Sequence, residues 1–232
     1  MIDEAIILAG GLGTRLRSEV SDRPKPMVLI QDRPFLGYLL DFLIEQNIKK
    51  VILGIGYLGE QIQEFFGKSY RGTDLQYSFE KEPLGTGGAL KRALNLIQGE
   101  ASFVLNGDSL FRIDLSLLKN IFYDSSADLV LSLKEVRDSN RYGFVQVNTE
   151  GRAISFLEKG NQISGLINGG VYCLRSDILD EEEKQIFSFE KFLEDHFHNK
   201  KCMTCLYDSY FIDIGIPEDY HRAQTDFKIF SH

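Results

Sequence analysis

The chain has 232 residues, 43% of them hydrophobic, and a formal net charge of −8. That length suits one α/β domain spanning 1–232 with a full core, and the acidic balance argues against nucleic acid, whose binders carry a basic face. No apolar run approaches the ~20 residues that a membrane-spanning helix needs, and no basic leader precedes an apolar stretch at the N-terminus, so a cytoplasmic protein without a membrane partner is expected.

Met1 to Ala9 reads as a short buried strand, because Ala5-Ile6-Ile7-Leu8 is a continuous apolar run. Gly10-Gly11-Leu12-Gly13-Thr14-Arg15-Leu16 follows, where absent Cβ atoms let backbone N–H groups close on an anion. Pro24-Lys25-Pro26-Met27 then fixes a lysine. Pro24 has a set φ and Pro26 biases Lys25 toward an extended conformation, so a stiff segment presents a preorganised charge. Arg15 adds a planar fork suited to phosphate oxygens. Such a set is equipment for a polyphosphate. A dinucleotide fingerprint fits less well, since Gly11-Leu12-Gly13-Thr14-Arg15-Leu16 ends in leucine where that motif needs glycine or alanine; no Gly-Lys-Ser/Thr follows these glycines, as a Walker A loop requires.

Phe35 to Gln46 has apolar residues at three-to-four spacing and reads as a helix, Lys50 to Gly54 as a strand, and Glu60 to Phe66 as a helix. Leu75 to Phe79 follows as a strand, Gly88 to Ile97 as a helix and Ser102 to Leu105 as a buried strand. This alternation predicts a Rossmann-like, mostly parallel sheet with helices on both faces. Ligands then sit at the carboxyl ends of the strands, where the glycine loop and Asp108 fall. Leu129 to Leu133, Phe144 to Val147 and Ala153 to Leu157 are strand-like, and a turn at Glu150-Gly151 joins the last two into a small antiparallel ribbon. Ile186 to His198 reads as a helix, Cys202 to Tyr207 and Phe211 to Ile214 as strands, and Pro217 opens a closing helix through Phe227. No repeat, linker or appended domain is expected.

Cys173, Cys202 and Cys205 are too few for a disulfide framework, and Cys202-x-x-Cys205 lacks a second ligand pair, so packing is their expected role. His196 and His198, two apart on a helix, do not share a face for chelation.

The signature G-G-L-G-T-R-L followed by P-K-P-M resembles that of the sugar-1-phosphate nucleotidyltransferases, which join a nucleoside triphosphate to a sugar phosphate and release pyrophosphate. Glu82-Pro83-Leu84-Gly85-Thr86-Gly87-Gly88-Ala89, Asn106-Gly107-Asp108, Tyr142-Gly143, Glu158-Lys159, Asn168-Gly169-Gly170-Val171-Tyr172 and Asp213-Ile214-Gly215 resemble the family's later motifs in order. The likeness covers nearly the whole chain. Within the family, the run from Arg33-Pro34-Phe35-Leu36 through the Glu82 motif is most similar to guanylyltransferases of D-glycero-D-manno-heptose 1-phosphate.

The resemblance implies the nucleotide-diphospho-sugar transferase fold, with 1–110 mainly binding nucleotide and 111–232 mainly the sugar phosphate. It implies catalysis by Arg15, Lys25 and Asp108, with Mg²⁺ held by Asp108 and Asp213. Leu8, Ala9, Gly10, Gly11, Gly13, Thr14, Glu80, Gly85, Thr86, Asn106 and Gly107 would bind the nucleotide; Gly143, Glu158, Lys159, Asn168 and Gly169 would bind the sugar 1-phosphate. Glycines 143, 169 and 170 would leave room for the sugar ring. Read locally, Glu158-Lys159 is an ordinary surface pair, the glycines suit turns, and Asn106-Gly107 suits a hairpin beside Asp108. Asp213 is harder to dismiss, since a carboxylate between Ile212 and Ile214 carries a burial cost without a cation or donors.

The two substrates are anions that repel one another, so catalysis should consist of neutralisation and alignment, with Mg²⁺ the natural oxygen-seeking neutraliser. Glu80 or Glu82 precedes the segment that faces the base in the family. A carboxylate can accept from guanine N1–H and its exocyclic amine together, which points to GTP. A heptose 1-phosphate acceptor is expected, with mannose 1-phosphate, N-acetylmuramate 1-phosphate or a phosphocholine-like acceptor as alternatives, because one hydroxyl contact changes the choice. A silent relative that binds nucleotide sugars and regulates a partner is the rival of another class. Nothing in the sequence fixes the oligomeric state.

Overall fold

Alternate residues of the first strand face opposite sides of a sheet and are apolar on both, which is the signature of a strand covered on both faces. In the computed structural model, which describes residues 2–11, 23–137, 142–157 and 164–230, β1 runs Glu4–Leu8. Ile7 joins one core and Ile6 the other. Lys25–Met27 forms a single 3₁₀ turn, followed by a hairpin of β2 (Leu29–Ile30) and β3 (Arg33–Pro34) and by helix α1 (Phe35–Glu45). Next come β4 (Lys50–Ile55), α2 (Gly59–Phe66), β5 (Ser69–Tyr70), β6 (Thr73–Phe79), α3 (Gly85–Leu94) and β7 (Ala101–Asn106). The second half holds β8 (Ser109–Phe111), α4 (Leu115–Ser125), β9 (Leu129–Val136), β10 (Phe144–Val147), β11 (Ala153–Leu157) and β12 (Gly165–Arg175). It closes with α5 (Phe189–His196), β13 (Cys202–Leu206), β14 (Phe211–Asp213) and α6 (Pro217–Asp226).

Ten strands form one sheet in the order β11-β10-β12-β7-β1-β4-β6-β5, with β9 on β12 and β13 on β9. β1 is parallel to β4 and β7, and β4 to β6, so the expected parallel core is present. β12 runs antiparallel to β7 and β9, and β10 pairs antiparallel with β11 as the ribbon reading anticipated. One face is packed by α3 and α5 through Leu90, Ala93, Phe189 and Leu193; the other carries α1, α4 and Phe227. β8 and β14 make a separate antiparallel pair that sets Asp213 opposite Ser109.

Several expectations are corrected. Helix α3 starts at Gly85 rather than Gly88 and stops at Leu94 rather than Ile97; Gly87 N–H donates to Phe187 O at 2.9 Å, so a tertiary bond recruits glycines that helix propensity disfavours. Helix α5 starts at Phe189, because the Ser188 hydroxyl caps it by accepting from Lys191 N at 3.2 Å, and it ends at His196. Helix α4 was not anticipated. Its cap is Asp114, which accepts from Ser116 N at 2.8 Å, and Leu115, Leu118 and Phe122 face the core. Asn168-Gly169-Gly170 is no turn but the middle of β12, where Gly170 (φ 73°) bulges the strand and shifts its register against β9. Lys25 is not extended, since Met27 N bonds Pro24 O at 2.8 Å and Val28 N bonds Lys25 O at 3.1 Å, which closes a turn.

Candidate active site

The carboxyl ends of β1 and β7 lie side by side, Leu8 opposite Asn106, and the chain leaves both strands through close backbone contacts. Gly107 N donates to Leu8 O at 2.9 Å, and a Cβ on Gly107 would lie 2.6 Å from that oxygen, so only glycine fits. Leu8, Ala9, Gly10 and Gly11 from the first strand end, and Asn106 and Gly107 from the other, line a cavity of about 400 Å³ together with Lys25, Glu80, Gly85 and Thr86. All the described residues expected to bind nucleotide therefore meet in one place. Gly13, Thr14 and Arg15 lie outside the described residues.

A second cavity of about 680 Å³ adjoins it and is lined by Gly143, Asn168, Gly169, Asp108 and Asp213, with Tyr142, Phe156 and Phe211 among its walls. These are the described residues expected at the sugar and metal sites; Glu158 and Lys159 lie outside the described residues. The two cavities share Asn106, Asp108 and Glu190.

At the junction, Lys25 Nζ donates to Asp108 Oδ2 at 2.6 Å, across 83 positions of sequence. The lysine side chain is 13% exposed and the aspartate 42%, so the pair stands at a cavity wall with one carboxylate side open. Asp213 joins them. Ile214 N donates to Asp108 O at 2.9 Å, Asp213 Oδ1 accepts from Gly215 N at 2.7 Å, and a Cβ on Gly215 would lie 2.7 Å from Asp213 Oδ1 and 3.2 Å from Lys25 Nζ. Asp213 is half-buried rather than enclosed, and its carboxylate is met by a backbone donor. Among the described residues no three or more His, Cys, Asp or Glu side chains cluster to hold a metal, so the two carboxylates would hold an ion only with ligands brought by a substrate.

Glu80 ends up against the glycine loop. Its Oε2 accepts from Leu84 N at 3.0 Å, and a Cβ on Gly10 would lie 2.5 Å from its Oε1. Burial pushes the Glu80 carboxyl above its ordinary value, partly offset by the Leu84 N–H and by the charge of Arg92.

The larger cavity departs from expectation in detail. Gly169 and Gly170 answer to packing rather than to ring space: a Cβ on Gly169 would lie 2.4 Å from the Phe111 ring, and one on Gly170 2.7 Å from Asn106 Nδ2. The Asn168 amide is already engaged, Nδ2 donating to Tyr172 O–H at 2.6 Å and Oδ1 accepting from Gly170 N at 3.0 Å, which leaves one N–H and one lone pair for a ligand. Gly85, Gly87 and Gly88 likewise meet the 185–189 segment, with Gly88 Cβ falling 2.2 Å from Gln185 O.

Glu190 was missed. Its Oε2 accepts from Thr86 Oγ1 at 2.8 Å and from Ser188 Oγ at 2.7 Å, tying the first turn of α3 to that of α5. In sequence it reads as an acid compensating a helix N-terminus, and no local signal marks more. The cysteines are all buried and unpaired; burial raises all three thiols, Cys202 to about 12, which fits packing and not metal or redox chemistry.

The sequence model of the nucleotidyl transferase family matches residues 4–228. The chain belongs to that family. Over 222 residues it is 49% identical to the D-glycero-alpha-D-manno-heptose 1-phosphate guanylyltransferase of Campylobacter jejuni, covering 94% of this chain and 97% of that protein. The enzyme of the same name from Aneurinibacillus thermoaerophilus is 47% identical over 227 residues, 97% of this chain and 98% of the relative. The crystal structure of HddC from Yersinia pseudotuberculosis complexed with GMP-PN matches with a TM-score of 0.87 at 38% identity, over 97% of this chain and all of that one. This nucleotidyl transferase family member thus has the Rossmann-like, mixed-sheet fold of its relatives, and no described helix is long and apolar enough to cross a membrane.

Proposed function

We propose that the chain is a guanylyltransferase that joins GTP to D-glycero-α-D-manno-heptose 1-phosphate and releases pyrophosphate. The observation that carries the reading is the junction of two cavities at Lys25, Asp108 and Asp213. Relatives named for this reaction, 47–49% identical over nearly the whole chain, supply the substrate pair.

GTP would occupy the smaller cavity. Glu80 offers carboxylate oxygens to guanine N1–H and the exocyclic amine, while the Gly10 and Gly11 backbone and Lys25 take the phosphates. The sugar phosphate would fill the larger cavity, its hydroxyls meeting the remaining capacity of Asn168 and its phosphate directed to the junction. A phosphate oxygen of the sugar then bonds to the α-phosphorus as the bond from that phosphorus to the bridging oxygen breaks, and the electron pair leaves with pyrophosphate. Lys25 stabilises charge accumulating on the phosphoryl oxygens, and the walls of two separate cavities hold the reactants in line. Asp108 and Asp213, hard oxygen donors lining the same cavity, fit Mg²⁺, which would supply charge neutralisation between the phosphates.

Pyrophosphate release across four nucleoside triphosphates and several sugar 1-phosphates, with Mg²⁺ and with EDTA, tests this. GTP with the heptose 1-phosphate should give the highest kcat/KM, and EDTA should abolish turnover. Faster use of UTP or CTP would overturn the base assignment, mannose 1-phosphate as the better acceptor the sugar assignment, and no turnover with any pair the enzyme reading itself.

A further inference from the structure

Lys25 enters a hairpin that is poorly built to hold its own shape. β2 and β3 have two residues each, and their turn residues, Gln31 (φ 48°) and Asp32 (φ 62°), both sit in the left-handed region. Without glycine that conformation costs about 1 kcal/mol per residue, and an Asn-Gly pair is the usual solution for such a turn. Something outside the hairpin must hold it.

Helix α1 contributes two bonds, Tyr38 O–H donating to Ile30 O at 3.0 Å and Phe35 N to Val28 O at 2.9 Å, and helix α6 grips the turn itself, chiefly through Gln224. Gln224 Oε1 accepts from Gln31 N at 3.0 Å while Gln224 Nε2 donates to Leu29 O at 2.7 Å. Gln31 Nε2 returns a bond to Gln224 O, and Tyr220 O–H reaches Leu29 O at 3.4 Å. An amide is required, because the hairpin presents one donor and one acceptor to the same group. Helix α6 also begins two residues after Gly215, the residue packed beside Asp213 and Lys25 Nζ. One helix therefore bonds the lysine-bearing segment and continues the aspartate-bearing one.

We infer that Gln224 is a positioning residue: it holds Lys25 in its ion pair with Asp108 by clamping the hairpin that follows the lysine. The consequence for turnover rests on the role of Lys25 in the proposed function; the clamp itself does not.

Lys50 provides an internal control. Its side chain is 13% exposed, like that of Lys25, and it pairs with Glu4 at 2.9 Å at the start of β4, away from the junction. Full-length protein is labelled with a trace of an amine-acylating reagent, and the rates at the two lysines are compared by mass spectrometry in Gln224→Ala and Gln224→Glu. The glutamate can accept from Gln31 N but cannot donate to Leu29 O, and it serves if the alanine variant does not fold.

Labelling of Lys25 should rise about tenfold relative to Lys50, less in Gln224→Glu, and kcat should fall by about tenfold with KM for the sugar 1-phosphate nearly unchanged, as a misplaced catalytic group predicts. An unchanged ratio, whether both lysines speed up together or neither does, would overturn the clamp. A labelling change with kcat intact would overturn its catalytic consequence. Wild-type protein inert toward every sugar 1-phosphate would sink the proposed function instead, and the labelling ratio would still decide the clamp.

Discussion

Two side chains at the site carry opposite lessons about charge. Lys25 is paired at 2.6 Å with Asp108, so its cation is already aimed where phosphates would meet, and Lys25→Ala should lower kcat by about a hundredfold or more with a smaller change in KM for GTP, measured by steady-state pyrophosphate release. Glu80 is held above its ordinary carboxylate value chiefly by burial. A raised carboxyl favours folding below the unfolded value and that contribution is lost as pH rises through the folded one, so an ionised Glu80 costs stability. Glu80→Gln should therefore melt slightly higher than wild type at pH 7 while its kcat/KM for GTP falls at least tenfold, the amide placing a donor against guanine donors. A variant with unaltered GTP preference would remove Glu80 from base recognition. Lys25 stood out in sequence by its flanking prolines, and Asp108, Asp213 and Glu80 by the motifs they share with the family, because residue type and motif spacing are local properties. Glu190 was not, because its meaning comes from Thr86, 104 positions away.

Helix α3 shows why element boundaries resist sequence reading. Gly85 and Gly87 precede the helix that the sequence starts at Gly88, yet all three form its first turn because the 185–189 segment lies against them. Alanine would improve helix propensity by about 1 kcal/mol, but a Cβ on Gly88 would sit 2.2 Å from Gln185 O and one on Gly87 2.2 Å from the Phe187 ring, and overpacking of backbone costs more. Gly88→Ala should lose about 2 kcal/mol net and lower Tm by several degrees in calorimetry. Helix α1, by contrast, was legible from its apolar spacing alone, Phe35, Leu36, Leu39, Leu40 and Leu43 all being buried. Helix α4 carries the same kind of pattern over a shorter apolar stripe, and only its contact with the sheet makes it plain.

Across the whole molecule, the end of the sheet opposite the site is tied by Glu4. Its Oε2 accepts from Gln98 N at 2.9 Å and Gly99 N at 2.7 Å, and Lys50 Nζ lies 2.9 Å from Oε1. Burial alone would raise this carboxyl, but the Lys50 ammonium and the two N–H donors outweigh it and hold it below the ordinary value. A depressed carboxyl stabilises above its unfolded value and loses that contribution as pH falls through the folded one. Glu4→Ala should thus cost about 3 kcal/mol at pH 7, leaving two N–H groups without their partner and Lys50 with only the Leu96 carbonyl, and the gap to wild type should shrink below about pH 4 in urea titrations.

The alternation of apolar strands and helices, the glycine loop and the proline-flanked lysine were determined by the sequence by itself, since periodicity, missing Cβ atoms and side-chain charge act over a few residues. The meeting of Lys25 with Asp108 and Asp213, the bulge inside β12, the helical turn at Gly85 and the clamp of Gln224 on the hairpin were decided only by the tertiary structure. Apolar pattern says which face of an element is buried. Which distant element covers it depends on strand order and register, and those same choices bring charges from separate parts of the chain within bonding distance.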